Sequence, residues 1–186
     1  MQGNKLHGMR VAILATEDFE LVELTEPKKA LDQAGAITKV ISPKPGTIQG
    51  MDHDVKAGSV NVDMTLDQAN PDNFDAVLLP GGALNADDMR MQPKAREFVK
   101  RMQAAGKPFA VICHAPWLLV SSGLVKGRTL TSWPSIQDDI RNAGGNWVDQ
   151  QVVGDGNWVT SRGPKDLPAF NPAMIQLFSR KRITTM

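Results

Sequence analysis

The stretch KPFAVICHAPW, residues 107–117, decides the fold and contains the only cysteine of the chain. The run from Phe109 to Cys113 is apolar and includes Phe, Val and Ile, a composition typical of a buried strand. From His114 onward the apolar residues are spaced as in a helix, and Pro116 suits a first helical turn. The sequence therefore predicts a strand, an abrupt turn and a helix, with Cys113 at the corner.

A cysteine at such a corner has a chemical use. It would lie at the carboxyl edge of a sheet, where α/β proteins bind their ligands, and at the positive end of a helix dipole, which favours thiolate. That is where an α/β enzyme places a nucleophile. The alternative is that Cys113 is an inert, small apolar residue in the core.

Length and charge narrow the function classes. A chain of 186 residues suits one domain, which we place at residues 9–186, after a disordered or tag-like tail at residues 1–8. The 21 basic and 20 acidic residues are evenly spread, so neither nucleic acid nor a membrane surface is an expected partner. The apolar runs are too short to span a bilayer, and the polar start lacks a signal peptide. A single cysteine fits a reducing compartment, so we expect a cytoplasmic protein.

Strands and helices alternate along the rest of the chain. Buried strands are predicted at residues 9–15, 36–42 and 74–79, and short strands or a hairpin at residues 43–66. Further on, a hairpin is predicted from residues 147–153 and 157–161, and the last helix begins near Asp166 or at Asn171-Pro172. This alternation predicts a doubly wound α/β sandwich of flavodoxin-like type with a mostly parallel central sheet.

Three predicted strand ends carry polar or glycine-rich groups. The first leads into an acidic turn that ends at Glu20, the second into Pro80-Gly81-Gly82, and the third into Cys113-His114. Together they offer a carboxylate, amides for an oxyanion, and a thiol beside an imidazole. Taken singly, Glu20 is an ordinary first-turn acid and the glycine turn a tight exit from a strand.

These residues resemble the PfpI family of intracellular cysteine peptidase-like and stress proteins. That family belongs to the class I glutamine amidotransferase-like superfamily, which includes the Parkinsonism-associated protein. The matching segments follow one another in the family's order: residues 15–24 (ATEDFELVEL), 74–82 (FDAVLLPGG), 106–116 (GKPFAVICHAP), 131–139 (TSWPSIQDD) and 154–162 (GDGNWVTSR).

The resemblance implies roles for individual residues. Cys113 matches the cysteine of the family's nucleophile elbow, and His114 the histidine that assists it. Glu20 matches the glutamate whose carboxyl group hydrogen-bonds the sulfur, and the amides of Gly82 and His114 match the oxyanion hole. Asp87 falls where peptidase-like members supply an acid to the histidine of a neighbouring subunit; it could equally be a solvated acid or a helix cap.

The resemblance also implies assembly, since family members commonly form dimers and sometimes hexamers. Of the four tryptophans, Trp117 and Trp133 are expected at the mouth of the site, and Trp133 stands where a tyrosine is usual. His7 and His53 lie in polar sequence without ligand partners at metal spacing, so neither a metal nor a cofactor is expected.

Two function classes follow. The first is a stress-response hydrolase in which Cys113 attacks the carbonyl carbon of a peptide or of a reactive dicarbonyl and its adducts, as in glyoxalase or deglycase chemistry. The second is a non-enzymatic redox sensor or protective chaperone in which Cys113 is oxidised.

Overall fold

The computed structural model describes residues 4–183, with side chains to residue 180. Its helices lie between or after the strands in the expected alternation. The strands are β1 (Arg10–Leu14), β2 (Phe19–Glu20), β3 (Ile37–Ser42), β4 (Thr47–Asp52), β5 (Val55–Asn61), β6 (Met64–Thr65), β7 (Ala76–Leu79), β8 (Phe109–Ile112), β9 (Thr129–Leu130), β10 (Asn146–Trp147), β11 (Val153–Asp155) and β12 (Trp158–Ser161). The helices are α1 (Leu21–Gln33), α2 (Ala83–Met91), α3 (Pro93–Ala104), α4 (Pro116–Ser121), α5 (Gln137–Asn142) and α6 (Leu167–Ile183).

The central sheet has the strand order β11-β12-β8-β7-β1-β3-β6. Its strand pairs are parallel except for β11 with β12. The mostly parallel α/β sheet predicted from the sequence is therefore confirmed. Because β8, β7 and β1 are neighbours, the three strand ends singled out above meet at one edge of the sheet.

Both faces of the sheet are buried, which makes the fold a sandwich. Along β1, Ala12 and Leu14 pack with α3, α4 and α5 on one face, whereas Val11 and Ile13 pack with α1 and α6 on the other. Every residue of β8 is fully buried, as expected for a central parallel strand covered by helices on both sides. This rigid double layer fixes the strand ends that carry the site.

A smaller sheet lies beside the site. Strands β4 and β5 form an antiparallel hairpin, as predicted for residues 43–66, and β4 pairs with β2 in parallel. The tip of this hairpin holds His53 at a φ of 58°, a left-handed conformation that is uncommon for a residue with a side chain. The hairpin thereby reaches the residues that precede α1.

Two expectations need correction. Residues 4–8 are not a disordered tail: Leu6 is fully buried and its amide donates to the Ala34 carbonyl at 2.9 Å, while residues 1–3 lie outside the described part. The second hairpin is shorter than predicted, because Trp147 pairs with β9 and only β11 joins β12.

The last helix begins at Leu167, the earlier of the two predicted starts, and includes Pro172. Among the described helices, none is long and apolar enough to cross a membrane.

Candidate active site

Cys113 lies at the predicted corner between β8 and α4. Its φ is 64°, and positive φ costs a residue with a side chain on the order of 1–3 kcal/mol. Two backbone hydrogen bonds hold it there: its amide donates to the Ser161 carbonyl at 3.1 Å, and its carbonyl accepts the Trp133 amide at 2.9 Å. The side chain is buried, with 6% of the residue exposed. The backbone is therefore constrained so that the thiol faces the strand ends.

His114 adjoins the thiol. Its Nδ1 lies 3.3 Å from the Cys113 sulfur, and burial lowers the pKa of the imidazole. The ring has the Trp117 ring at its edge, 5.3 Å between centroids, and the Trp133 ring stacked at 6.0 Å. A neutral imidazole beside a thiol can accept the thiol proton, which is the role the sequence predicted for it.

Two backbone amides point at the sulfur. The N–H groups of Gly82 and His114 both hydrogen-bond Cys113 and lower the pKa of its thiol. Because α4 has only six residues, these direct contacts matter more than a helix dipole. The same two amides were predicted to form the oxyanion hole, and they converge on the atom that a substrate carbonyl must approach.

The carboxyl group beside the thiol is Glu23, and the Glu20 contact predicted above is wrong. Glu23 is fully buried, and its carboxyl group lies beside Cys113, because Glu23 Oε1 and the Cys113 Cβ both face the same point of Gly81. Oε1 accepts the Gly81 amide at 3.0 Å, and Oε2 has no hydrogen-bond partner among the described residues. Oε2 is therefore the oxygen that can carry a proton. Glu20 instead accepts the His53 amide, at 3.2 Å to its Oε2.

Burial, followed by the charge of Glu20, raises the pKa of Glu23 to about 8. Near pH 7 the Glu23 carboxyl is therefore protonated and can donate a hydrogen bond to a thiolate. Burial first, and then the charges of Glu23 and Glu20, raise the pKa of Cys113. The Glu23 contribution vanishes when that group is neutral, so the two groups titrate as a pair.

A sequence signal for Glu23 exists. It stands four residues before Pro27 and eight before Leu31, both of which are buried on the inner face of α1. An acid at helical spacing with buried residues must enter the core. Glu20 lies before the helix, as the last residue of β2, and its side chain points to the tip of the β4–β5 hairpin.

The glycine turn is more than a strand exit. A Cβ on Gly81 would lie 2.4 Å from Glu23 Oε1 and 2.5 Å from the Cys113 Cβ, closer than atoms can approach. Gly82 has a φ of 94°, and a Cβ there would lie 2.7 Å from the Glu20 amide nitrogen. Only glycine permits this approach of the turn to the thiol.

Asn85 fastens that turn and was missed in the sequence. Its Oδ1 accepts the Thr16 amide at 2.8 Å, and its Nδ2 donates to the carbonyls of Gly81, at 2.9 Å, and Pro80, at 3.2 Å. The side chain is buried and ties the end of β1 to the end of β7. An asparagine among helix-forming residues gives no sign of this role in the sequence alone.

Asp87 lies exposed on α2, and the hydrogen bonds and ion pairs of the described residues do not connect it to His114 of the same chain. On the same helix Arg90 stacks on the Trp117 ring at 5.1 Å and donates to Ser121. The role of Asp87 across a subunit interface stays a prediction.

A cleft of about 690 Å³ opens beside the site. Trp133 forms one wall, with one face toward His114 and the other against Gly163, where a Cβ would lie 3.1 Å from the ring. His53, Arg162 and Lys165 also line the cleft. Trp133 lines this cleft, whereas Trp117 is partly buried and its Nε1 has no partner among the described atoms.

Comparison with known proteins gives consistent results. The family model described as the DJ-1/PfpI family matches residues 9–177. A deglycase of Pyrococcus abyssi is 47% identical over 170 residues, covering 91% of this chain and 99% of the relative, and the deglycase PfpI of Pyrococcus furiosus is 44% identical with the same coverage. The crystal structure of DJ-1beta from Drosophila melanogaster has a TM-score of 0.84 at 28% identity and covers 94% of this chain and 93% of its own.

Proposed function

Because the chain belongs to the DJ-1/PfpI family, we propose that it is a stress-response, cysteine-dependent hydrolase of the deglycase type. The observation that carries the proposal is the convergence of three groups on one sulfur. The Gly82 and His114 amides hydrogen-bond Cys113, and the Glu23 carboxyl lies beside it, at a left-handed corner of the backbone. The substrate class is a reactive carbonyl adduct, supported by the names of the two Pyrococcus relatives.

The proposed first step is addition of the thiol to a carbonyl. His114 accepts the Cys113 proton, a bond forms between the sulfur and the carbonyl carbon, and the electron pair of the C=O π bond moves to the oxygen. The amides of Gly82 and His114 then donate to this oxyanion. Protonated Glu23 stabilises the thiolate before attack. The cleft beside Trp133 accommodates the amine-bearing part of the adduct.

The test is release of the unmodified N-acetyl amino acid from methylglyoxal-modified N-acetylarginine, N-acetyllysine or N-acetylcysteine. We expect turnover by the wild type and its loss, by a factor of at least about 1,000, in Cys113→Ala. Cleavage of a series of short peptides by the same two proteins distinguishes a peptidase from a deglycase. Wild-type protein with no cysteine-dependent turnover of either substrate class contradicts the proposal.

A second candidate is redox sensing or a protective chaperone role through oxidation of Cys113. It is favoured by the Glu23 carboxyl, which can donate a hydrogen bond to a sulfinate oxygen, and by the lack of a second cysteine to resolve a sulfenic acid. Intact-mass measurement after mild peroxide should then give a one- or two-oxygen adduct that Cys113→Ser removes. An unchanged mass at low peroxide rules this role out.

We further propose that the protein forms a homodimer or hexamer in which Asp87 approaches His114 of a neighbouring copy. The exposed apolar side chains of Leu84 and Met91, 61% and 69% exposed on the same helix, support an interface there. Light scattering should give a dimeric or larger mass, and Asp87→Asn should lower turnover more than Asp88→Asn. A monomeric mass removes Asp87 from the site. A cytoplasmic location stays a prediction.

A further inference from the structure

Three potential metal ligands meet beside the site: two are consecutive in the sequence, and the third lies 33 positions before His53. Glu20 precedes α1, and Asp52 and His53 occupy the tip of the β4–β5 hairpin. One ligand atom from each lies within 4.8 Å of the others. His53 Nδ1 is 2.8 Å from Asp52 Oδ1 and 3.8 Å from Glu20 Oε1. The hairpin therefore brings the adjacent Asp52 and His53 to Glu20, a partner that is distant in the linear sequence.

The spacing suits a small divalent cation. Zinc bonds to imidazole nitrogen and carboxylate oxygen are about 2.0–2.2 Å long, so tetrahedral ligands lie roughly 3.4 Å apart. The two distances to His53 Nδ1 bracket that separation, each within about 0.6 Å of it, and the Glu20 and Asp52 oxygens lie within 4.8 Å of each other before any ion draws them together. Side-chain rotations of Asp52 and His53, both exposed, can close the site.

One ligand is already fixed. The Glu20 side chain is only 9% exposed, and both of its oxygens face the His53 amide, at 3.3 Å and 3.2 Å. The left-handed φ of His53 turns that amide toward Glu20 while its ring remains beside Asp52. Each carboxylate forms its described ion pair with this one imidazole, so two negative charges share a single partner.

We propose that Glu20, Asp52 and His53 bind a divalent transition metal of the zinc type. One imidazole and two carboxylates make three protein ligands, and three ligands leave a fourth coordination position for water or a substrate oxygen. His53 also lines the cleft beside Trp133, so the proposed metal site adjoins the space proposed for substrate. The site is separate from Cys113 and does not depend on the proposed hydrolase activity.

The test is calorimetric titration of the full chain with zinc chloride, after treatment with a chelator and its removal. We expect one zinc ion per chain. His53→Asn should weaken binding at least about tenfold, because it removes the ring nitrogen. Asparagine tolerates a positive φ, so the hairpin should keep its conformation. Asp52→Asn should weaken binding similarly, whereas Asp54→Asn, the same change on the same turn, should not.

Cys113 is the competing ligand, so Cys113→Ser is the decisive control. The proposal requires this variant to retain zinc, and the cobalt derivative of the wild type to give a tetrahedral spectrum without sulfur-to-metal charge transfer. Loss of binding in Cys113→Ser would place the metal on the thiol and overturn the proposal. Wild-type affinity in both His53→Asn and Asp52→Asn, or the absence of any binding to the wild type, would do so as well.

Discussion

Replacing Glu23 by glutamine should flatten the pH dependence of stability. Glutamine keeps the shape of the side chain and can still accept the Gly81 amide, but it cannot ionise. The folded protein raises the Glu23 pKa from 4.5 to about 8, so between these values it holds a proton that the unfolded chain has lost. Because the unfolded state binds fewer protons there, the free energy of unfolding falls as the pH rises.

The size of the effect follows from the shift. One pKa unit corresponds to 1.36 kcal/mol, so a rise from 4.5 to about 8 amounts to on the order of 5 kcal/mol between acidic pH and pH 8. Full burial of the carboxyl group leaves little solvent screening to reduce it. The wild type should therefore lose stability relative to Glu23→Gln through this pH range, with the difference complete above pH 8.

Urea unfolding of both proteins at half-unit steps from pH 4.5 to 8.5 measures this difference directly. Glu26→Gln, an exposed acid on the same helix, serves as the matched control and should follow the wild-type curve. A constant difference between wild type and Glu23→Gln across the whole range would refute the assignment of a buried proton to Glu23.

Other substitutions test the packing around the thiol and the beginning of the chain. Gly81→Ala forces a methyl group against Glu23 and Cys113, so we expect a loss of about 2 kcal/mol in urea unfolding and a fall in turnover of at least about 100-fold. Asn85→Ala leaves buried amide and carbonyl groups unpaired and should lower the free energy of unfolding by about 3 kcal/mol. A change below about 0.5 kcal/mol would contradict the role of Asn85 in holding the glycine turn. Leu6→Ala should cost about 3 kcal/mol by the same assay, and a neutral effect would favour a loose tail after all.

The sequence was sufficient for the sheet and for the place where its strand ends meet. Alternating apolar strands and helices predicted a mostly parallel sheet, and the change of periodicity at Cys113 located the corner. Both signals are local, because burial on both faces and a tight turn constrain residue types directly. The positions of Gly82 and His114 follow from the same local geometry.

The remaining details depend on directions that a linear pattern does not contain. Glu20 ends an extended strand and Glu23 lies in the first turn of α1. The two residues are only three positions apart, and the conformation of the backbone at each decides which carboxylate enters the core. His53 lies beside Glu20 only because the β4–β5 hairpin folds back to a residue 33 positions earlier in the sequence. The burial of Leu6 could not be predicted, because a single apolar residue in a short polar segment forms no periodic pattern.

The central claim, that Cys113 and Glu23 form one coupled site, is tested most directly by the pH dependence of Cys113 alkylation with iodoacetamide. In the wild type the rate profile should rise in two steps, with an inflection near pH 8 where Glu23 loses its proton and opposes the thiolate. Glu23→Gln should give a single step, and Glu20→Gln should keep both. A two-step profile that survives in Glu23→Gln, or that disappears only in Glu20→Gln, would contradict the claim.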